Sequence, residues 1–123
     1  MLQGKHDENS KSLDKFELML KSNDLYFFDA IEFENIIQYY LNNGKVSLAK
    51  KAVKLGLEQH PSAIELKLLH VEILVLEDKL ILAENHLDEL YLLSPNNEEV
   101  FIQKANILSK KDKQGIPFAK MLY

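Results

Sequence analysis

The stretch LAKKAVKLGLEQHP, Leu48 to Pro61, returns as LAENHLDELYLLSP, Leu82 to Pro95, with only the leucine, the alanine and the proline kept. A recurrence that preserves a large apolar residue, a small one and a helix breaker, and no reactive side chain, is a signal of packing and punctuation. A small residue lets two helices approach closely, and a proline forbids the helix from continuing. Any architecture for this chain therefore has to repeat a helical element at the spacing that separates Leu48 from Leu82.

Helical periodicity fills the space between these marks. Only three prolines and four glycines occur in 123 residues, and apolar side chains recur at intervals of three and four, almost nowhere alternating as a strand would. Leu13, Phe16, Met19 and Leu20 share one face of a short amphipathic helix from about Ser12 to Lys21. Asp29 with Glu32 reads as a capping box and Asn43-Gly44 as a left-handed stop, which predicts a helix from Ala30 to about Leu41. Val46, Ala49, Ala52, Val53 and Leu57 set a second helix that folds back and ends before Pro61. Ser62 with Glu65 caps a third, which reaches the Glu77-Asp78-Lys79 turn. A fourth runs from Leu80 to about Leu93. Asn96 with Glu99 repeats the cap of Ser62 and Glu65 at the same spacing and opens a fifth helix, Glu98 to Lys110. Residues 1–10 are a polar leader, expected to be disordered. Residues 11–123 are expected to form a single helical domain with units at about 30–63 and 64–97 and a partial one at 98–123.

This pattern resembles the tetratricopeptide repeat family, whose unit is a helical hairpin of about 34 residues. In the first unit the family's places fall on Phe33, Ile36, Ile37, Tyr40, Ala49, Val53 and Pro61, with Gly44 at the inter-helix turn. Ile37 and Val53 depart from it, standing where a small residue and an aromatic are usual. The second unit offers Lys67, His70, Val71, Leu74, Ala83, Leu87 and Pro95, of which the first two are polar. The third offers Phe101, Lys104, Ala105 and Leu108 and then breaks down at Pro117. The resemblance implies an all-α fold, a short right-handed α-solenoid of antiparallel hairpins with about two and a half repeats and flanking helices. Each hairpin buries its apolar face against a neighbour and the ends need covers. The Ser12–Lys21 helix and the tail with Ile116, Phe118, Met121 and Leu122 are the expected covers.

Composition narrows the function. The net charge is -4 and all 15 basic residues are lysine, so the dense Lys/Arg surface that binds nucleic-acid backbones is missing, as is the guanidinium fork for phosphate. There is no cysteine, which excludes thiolate chemistry. No apolar run reaches signal-peptide or membrane-spanning length, and the chain is expected to be cytoplasmic, without nucleic-acid or membrane partners. Nucleophile elbows, phosphate-cradling glycine loops and metal-helix signatures do not occur, so the expectation is a non-enzyme without cofactor. His70 and His86 lie on facing helices of the second hairpin, where the two rings with Glu72 or Glu84 could share a metal, but their spacing matches no short zinc motif, and packing is the expected role. His60 reads as a turn residue. Lys50, Lys51 and Lys54 read as a solvated helix face, and Tyr26, Phe27, Phe28, Phe33, Tyr39 and Tyr40 as core and staple.

What remains is a surface. In proteins similar to this family the first helix of each unit lines a concave face that binds a peptide or helix. By register that face would carry Glu34, Gln38 and Leu41 from the first unit. Glu65, Leu68, Leu69, Glu72, Val75 and Leu76 would come from the second, and Glu99, Ile102, Gln103 and Asn106 from the third. Some family members clamp a chaperone's C-terminal carboxylate there. The matching places are Glu34, Gln38, Leu69, Glu99 and Gln103, and no such clamp is present. The expected function is a protein-interaction scaffold whose partner is apolar with basic flanks. The alternative is a structural unit that forms a homo-oligomer through an exposed solenoid end.

Overall fold

The computed structural model describes residues 2–114, and its regular elements are all helices: α1 (Leu2–Lys21), α2 (Ala30–Asn42), α3 (Val46–Gln59), α4 (Ile64–Leu76), α5 (Leu80–Leu93) and α6 (Glu98–Lys113). No strand occurs among the described residues. The chain divides after Leu66 into two compact units. Pro117 and the tail residues Ile116, Phe118, Met121 and Leu122 lie outside the described residues.

In the first unit α1 begins at Leu2, so the stretch expected to be a disordered leader is helical. It contains no proline to stop a helix, and the Asn35 side-chain amide donates to Asn9 at 3.1 Å from the neighbouring helix. Deeper along α1, Ser12 donates to Glu32 at 2.6 Å, and the Tyr40 hydroxyl donates to Glu17 at 3.0 Å. Glu32 in turn accepts the Asp29 N–H at 2.9 Å, which closes the expected capping box. The Ser12 hydroxyl, ahead of that backbone bond, holds the Glu32 carboxyl below its usual range. Beneath these polar ties Phe16, Phe28, Phe33 and Tyr40 are fully buried. Their rings meet edge-on or tilted, with Phe16 to Phe28 at 6.0 Å, to Phe33 at 6.4 Å and to Tyr40 at 6.2 Å. Of the remaining aromatics, Phe27 and Tyr39 are exposed rather than core, because both fall on the far side of their segments from this cluster.

The extended segment before α2 is pinned from α3. Gln59 accepts the Phe28 N–H at 3.0 Å and donates to the Tyr26 carbonyl at 2.8 Å. His60 Nε2 lies 2.6 Å from the Phe28 carbonyl. A carbonyl only accepts, so Nε2 carries the ring proton. His60 therefore holds the linker in place, which a turn residue at the end of a helix gave no sign of.

The α2–α3 connection and the α4–α5 connection share one hydrogen-bond scheme. In the first, Gly44 N–H donates to Leu41 and Lys45 N–H to Tyr40, at 3.1 and 2.8 Å; in the second, Asp78 donates to Val75 and Lys79 to Leu74, at 3.0 and 2.8 Å. This is the Schellman stop, with a left-handed residue at its corner: Gly44 has φ 70° and Asp78 has φ 64°. The next stop recurs too. Ala63 N–H donates to His60 and Asn97 N–H to Ser94, both at 3.2 Å. Every one of these pairs has the spacing of Ala49 and Ala83.

That last pair moves the caps by one residue and leaves the start of α6 at Glu98, as expected. Pro61 and Pro95 stand second in four-residue turns, so Ser62 and Asn96 are third and cannot cap. The residue before α4 is Ala63, and the N-cap of α6 is Asn97, whose side chain accepts the Glu99 N–H at 2.9 Å. Asn97→Ala should accordingly cost about 1 kcal/mol, with Asn96→Ala and Ser62→Ala much less, in parallel denaturant titrations.

In the second unit Leu80, Ala83, Leu87 and Leu90 of α5 are buried, as are Val100 and Ile107 of α6. Lys111 is also buried, at 4% exposure. Its ammonium lies 3.3 Å from both carboxylate oxygens of Glu84, tying the end of α6 to α5. The Gln114 side chain donates to Asp78 at 2.6 Å.

Candidate functional site

The second unit carries an open groove of about 450 Å³ between α4 and α6. From α4 it is lined by Glu72, Val75 and Leu76, and from α6 by Glu99, Gln103, Asn106, Ser109, Lys110 and Lys113. Apart from the adjacent Ser109 and Lys110, the α6 residues follow one another at three- and four-residue steps, a single helical stripe. Six of the residues expected on a binding face, Glu72, Val75, Leu76, Glu99, Gln103 and Asn106, are thus brought together. Gln103 is nearly buried and its amide donates to Glu99 at 3.3 Å, so it forms wall rather than free surface. Glu72 is half-buried. Burial raises its carboxyl above the usual range, and the Glu99 charge raises it further.

Other expected face residues lie elsewhere. Leu68 and Leu69 are core, at 7 and 6% exposure, while Val75, at 8%, belongs to the groove only as part of its wall. Seven of the thirteen α4 residues are buried apolar side chains (Leu66, Leu68, Leu69, Val71, Ile73, Leu74 and Val75), and a helix apolar on most of its circumference has little surface to offer. Of the expected α4 leucines only Leu76 is open, at 57%. Substituting Leu69 would test stability and not binding. Ile102 is exposed at 51% but does not line the groove. In the first unit Gln38 lines a separate cleft with Asn35, Asp14 and Glu17. Glu34 lies near Glu65, and burial first, then that charge, raises the Glu34 carboxyl.

The histidines meet as expected, with the His70 and His86 ring centroids 5.0 Å apart and both side chains partly covered. No group of three metal-ligating side chains occurs among the described residues. Burial lowers the proton affinity of His70, the His86 charge lowers it further, and Glu77 opposes both. Below the ordinary histidine value near 6.5 the unfolded chain therefore takes up a proton that the fold refuses. Stability should be full above that pH and fall as the pH drops through it towards 5. Glu34 and Glu72 act in the opposite sense, nearer their own lower range. His70→Gln should flatten the decline in melting temperature between pH 7.5 and 5.5; parallel curves for parent and variant would contradict the assignment.

Lys50, Lys51 and Lys54 are exposed on α3. On the second unit a hollow of about 340 Å³ is lined by Leu87, Tyr91, Val100, Phe101 and Lys104, with the Tyr91 and Phe101 rings 6.1 Å apart and both exposed. No helix among the described residues is long and apolar enough to cross a membrane. No protein-family model matches the chain, and no curated protein or solved structure is significantly similar to it.

Proposed function

We propose that the chain is a non-catalytic protein-interaction module of the tetratricopeptide type. In this reading α2–α3 and α4–α5 are two repeats of a right-handed solenoid, α6 opens a third, and the second unit's groove takes a peptide with a basic residue beside an apolar one. The repeat assignment is supported by the identical stops at Gly44 and Asp78 and by the matching turns at Pro61 and Pro95.

Glu72 is the observation that carries the binding reading. It stands one turn from the C-terminal end of α4, where a carboxylate opposes the helix dipole. It is half-buried and its charge meets Glu99. Among the described residues it makes no ion pair. All three circumstances weaken the fold, and a Lys or Arg side chain from a partner would relieve all three. Such conflicts between a residue and its surroundings concentrate at functional sites.

Glu72→Gln should therefore raise the melting temperature at pH 7 and weaken capture of basic-apolar peptides on an array, while flattening the salt dependence of their association. Lower stability with unchanged capture would contradict the reading, as would equal capture of acidic-apolar peptides. The second reading, self-association, is favoured by the exposed ring pair Tyr91 and Phe101 beside Leu92 and Leu93, which are also exposed. Size-exclusion with light scattering over a concentration series, with Phe101→Glu as the control, separates the two.

A further inference from the structure

The groove is charged with opposite sign at its two ends. Glu72 and Glu99 hold one end, and Lys110 and Lys113 the other, with Val75 and Leu76 on the α4 side. Acids in the first turn of α6 and lysines in its last suit the helix dipole, and that alone would explain Glu99, Lys110 and Lys113. It does not explain Glu72, which sits at the wrong end of its own helix and beside a like charge. Nor is every lysine of that last turn idle, since Lys111 is buried against Glu84 while Lys110 and Lys113 face the groove. The two walls together make a site with a negative end, a partly apolar middle and a positive end.

We propose that this groove selects a dipolar peptide segment. The segment places a Lys or Arg side chain at Glu72 and Glu99, a leucine-sized side chain at Val75 and Leu76, and an acidic side chain at Lys110 and Lys113. The proposal rests on the interaction-module reading and adds the second charge to it. Glu99 and Lys110 are eleven residues apart on α6, about 16 Å. In an extended peptide, side chains on one face come every second residue and four residues span about 13 Å. The remainder is within the reach of a lysine and a glutamate side chain. The fitting pattern is thus basic, any, apolar, any, acidic, with the intervening residues facing away.

The test is fluorescence anisotropy with the full chain and three peptides blocked at both ends. The first is Gly-Lys-Ser-Leu-Ser-Glu-Gly; the second has lysine in place of the glutamate, and the third has glutamate in place of the lysine. The dipolar peptide should bind about fivefold tighter than the doubly basic one, the size of one exposed charge pair, and the doubly acidic peptide should bind weakest. Lys110→Glu with Lys113→Glu, both exposed and so compatible with folding, should reverse the order of the first two. Equal or tighter binding of the doubly basic peptide to the parent chain would overturn the dipolar assignment and leave the interaction-module reading standing. No difference among the three, with none affected by Glu72→Gln, would overturn both. A fourth peptide, ending at the second serine with a free carboxylate, distinguishes a chain terminus from an acidic side chain. Tighter binding of that peptide than of the dipolar one would overturn the side-chain assignment.

Discussion

Phe16→Ala should cost about 3–5 kcal/mol, the range for emptying a buried aromatic position. Phe16 is fully buried, and it is the one ring of α1 that meets Phe28, Phe33 and Tyr40 at once. Removing it leaves a cavity bounded by three rings that are themselves fixed, Phe28 by Gln59 and His60 and Tyr40 by Glu17. Such a site collapses poorly, so the cost belongs at the upper end of the range. The two part-buried polar ties from Ser12 and Glu17 to α2 contribute about 1 kcal/mol each and do not replace that apolar burial. Hydrogen exchange should show α1 amides losing protection before those of α2 and α3. A variant whose denaturant midpoint stays with the parent would mean that α1 is an appendage and not part of the unit's core.

Gly56→Leu should be of similar size, more than about 3 kcal/mol, because it overfills a site with no slack. A Cβ at Gly56 would lie 3.1 Å from Leu66 Cδ1 and 3.1 Å from Phe33 Cγ, and Phe33 is sealed between Phe16, Phe28 and His60. At the spacing that relates Ala49 to Ala83, Leu90 stands where Gly56 does. Where the first unit has Phe33 and Leu66 around Gly56, the second has Lys67 and Val100 at the corresponding positions. Less bulk on the first helix is matched by more on the second. Gly56→Ala should also destabilise, though less. Its gain of about 1 kcal/mol in helix propensity is set against a ring that cannot move. Gly56→Leu combined with Phe33→Leu should recover part of the loss, and purely additive costs in that cycle would refute the compensation. Gly44 is a different case, because there only backbone conformation is at stake: nothing lies within 4 Å of its Cβ position.

Much of this packing was legible in the sequence because it rests on residues whose physics is local. Asp29 with Glu32, the Asn43-Gly44 stop, the two prolines and the spacing of Ala49 and Ala83 each act within a turn or two of chain, and each appears where expected. What was not legible depends on contacts distant in sequence. Gln59 and His60 grip a linker far upstream, at Tyr26 and Phe28, and Lys111 is buried only because Glu84 awaits it. The caps were one residue off because a proline turn consumed Ser62 and Asn96. The face was misjudged at Leu68 and Leu69 because an almost uniformly apolar helix has no periodicity from which to read an outward side. The basic end of the groove went unseen because α6 runs on past Lys110 to Lys113, which brings that second lysine into the stripe.

The central claim, that the groove between α4 and α6 is where a partner binds, is tested most directly by mapping backbone amide shifts during titration with the dipolar peptide. The largest perturbations should fall on Glu72, Val75, Leu76, Gln103, Asn106 and Lys110, and they should vanish with Glu72→Lys. Perturbations gathered instead around Leu87, Tyr91, Val100 and Phe101, unchanged by that substitution, would contradict it and place the working surface at the exposed ring pair.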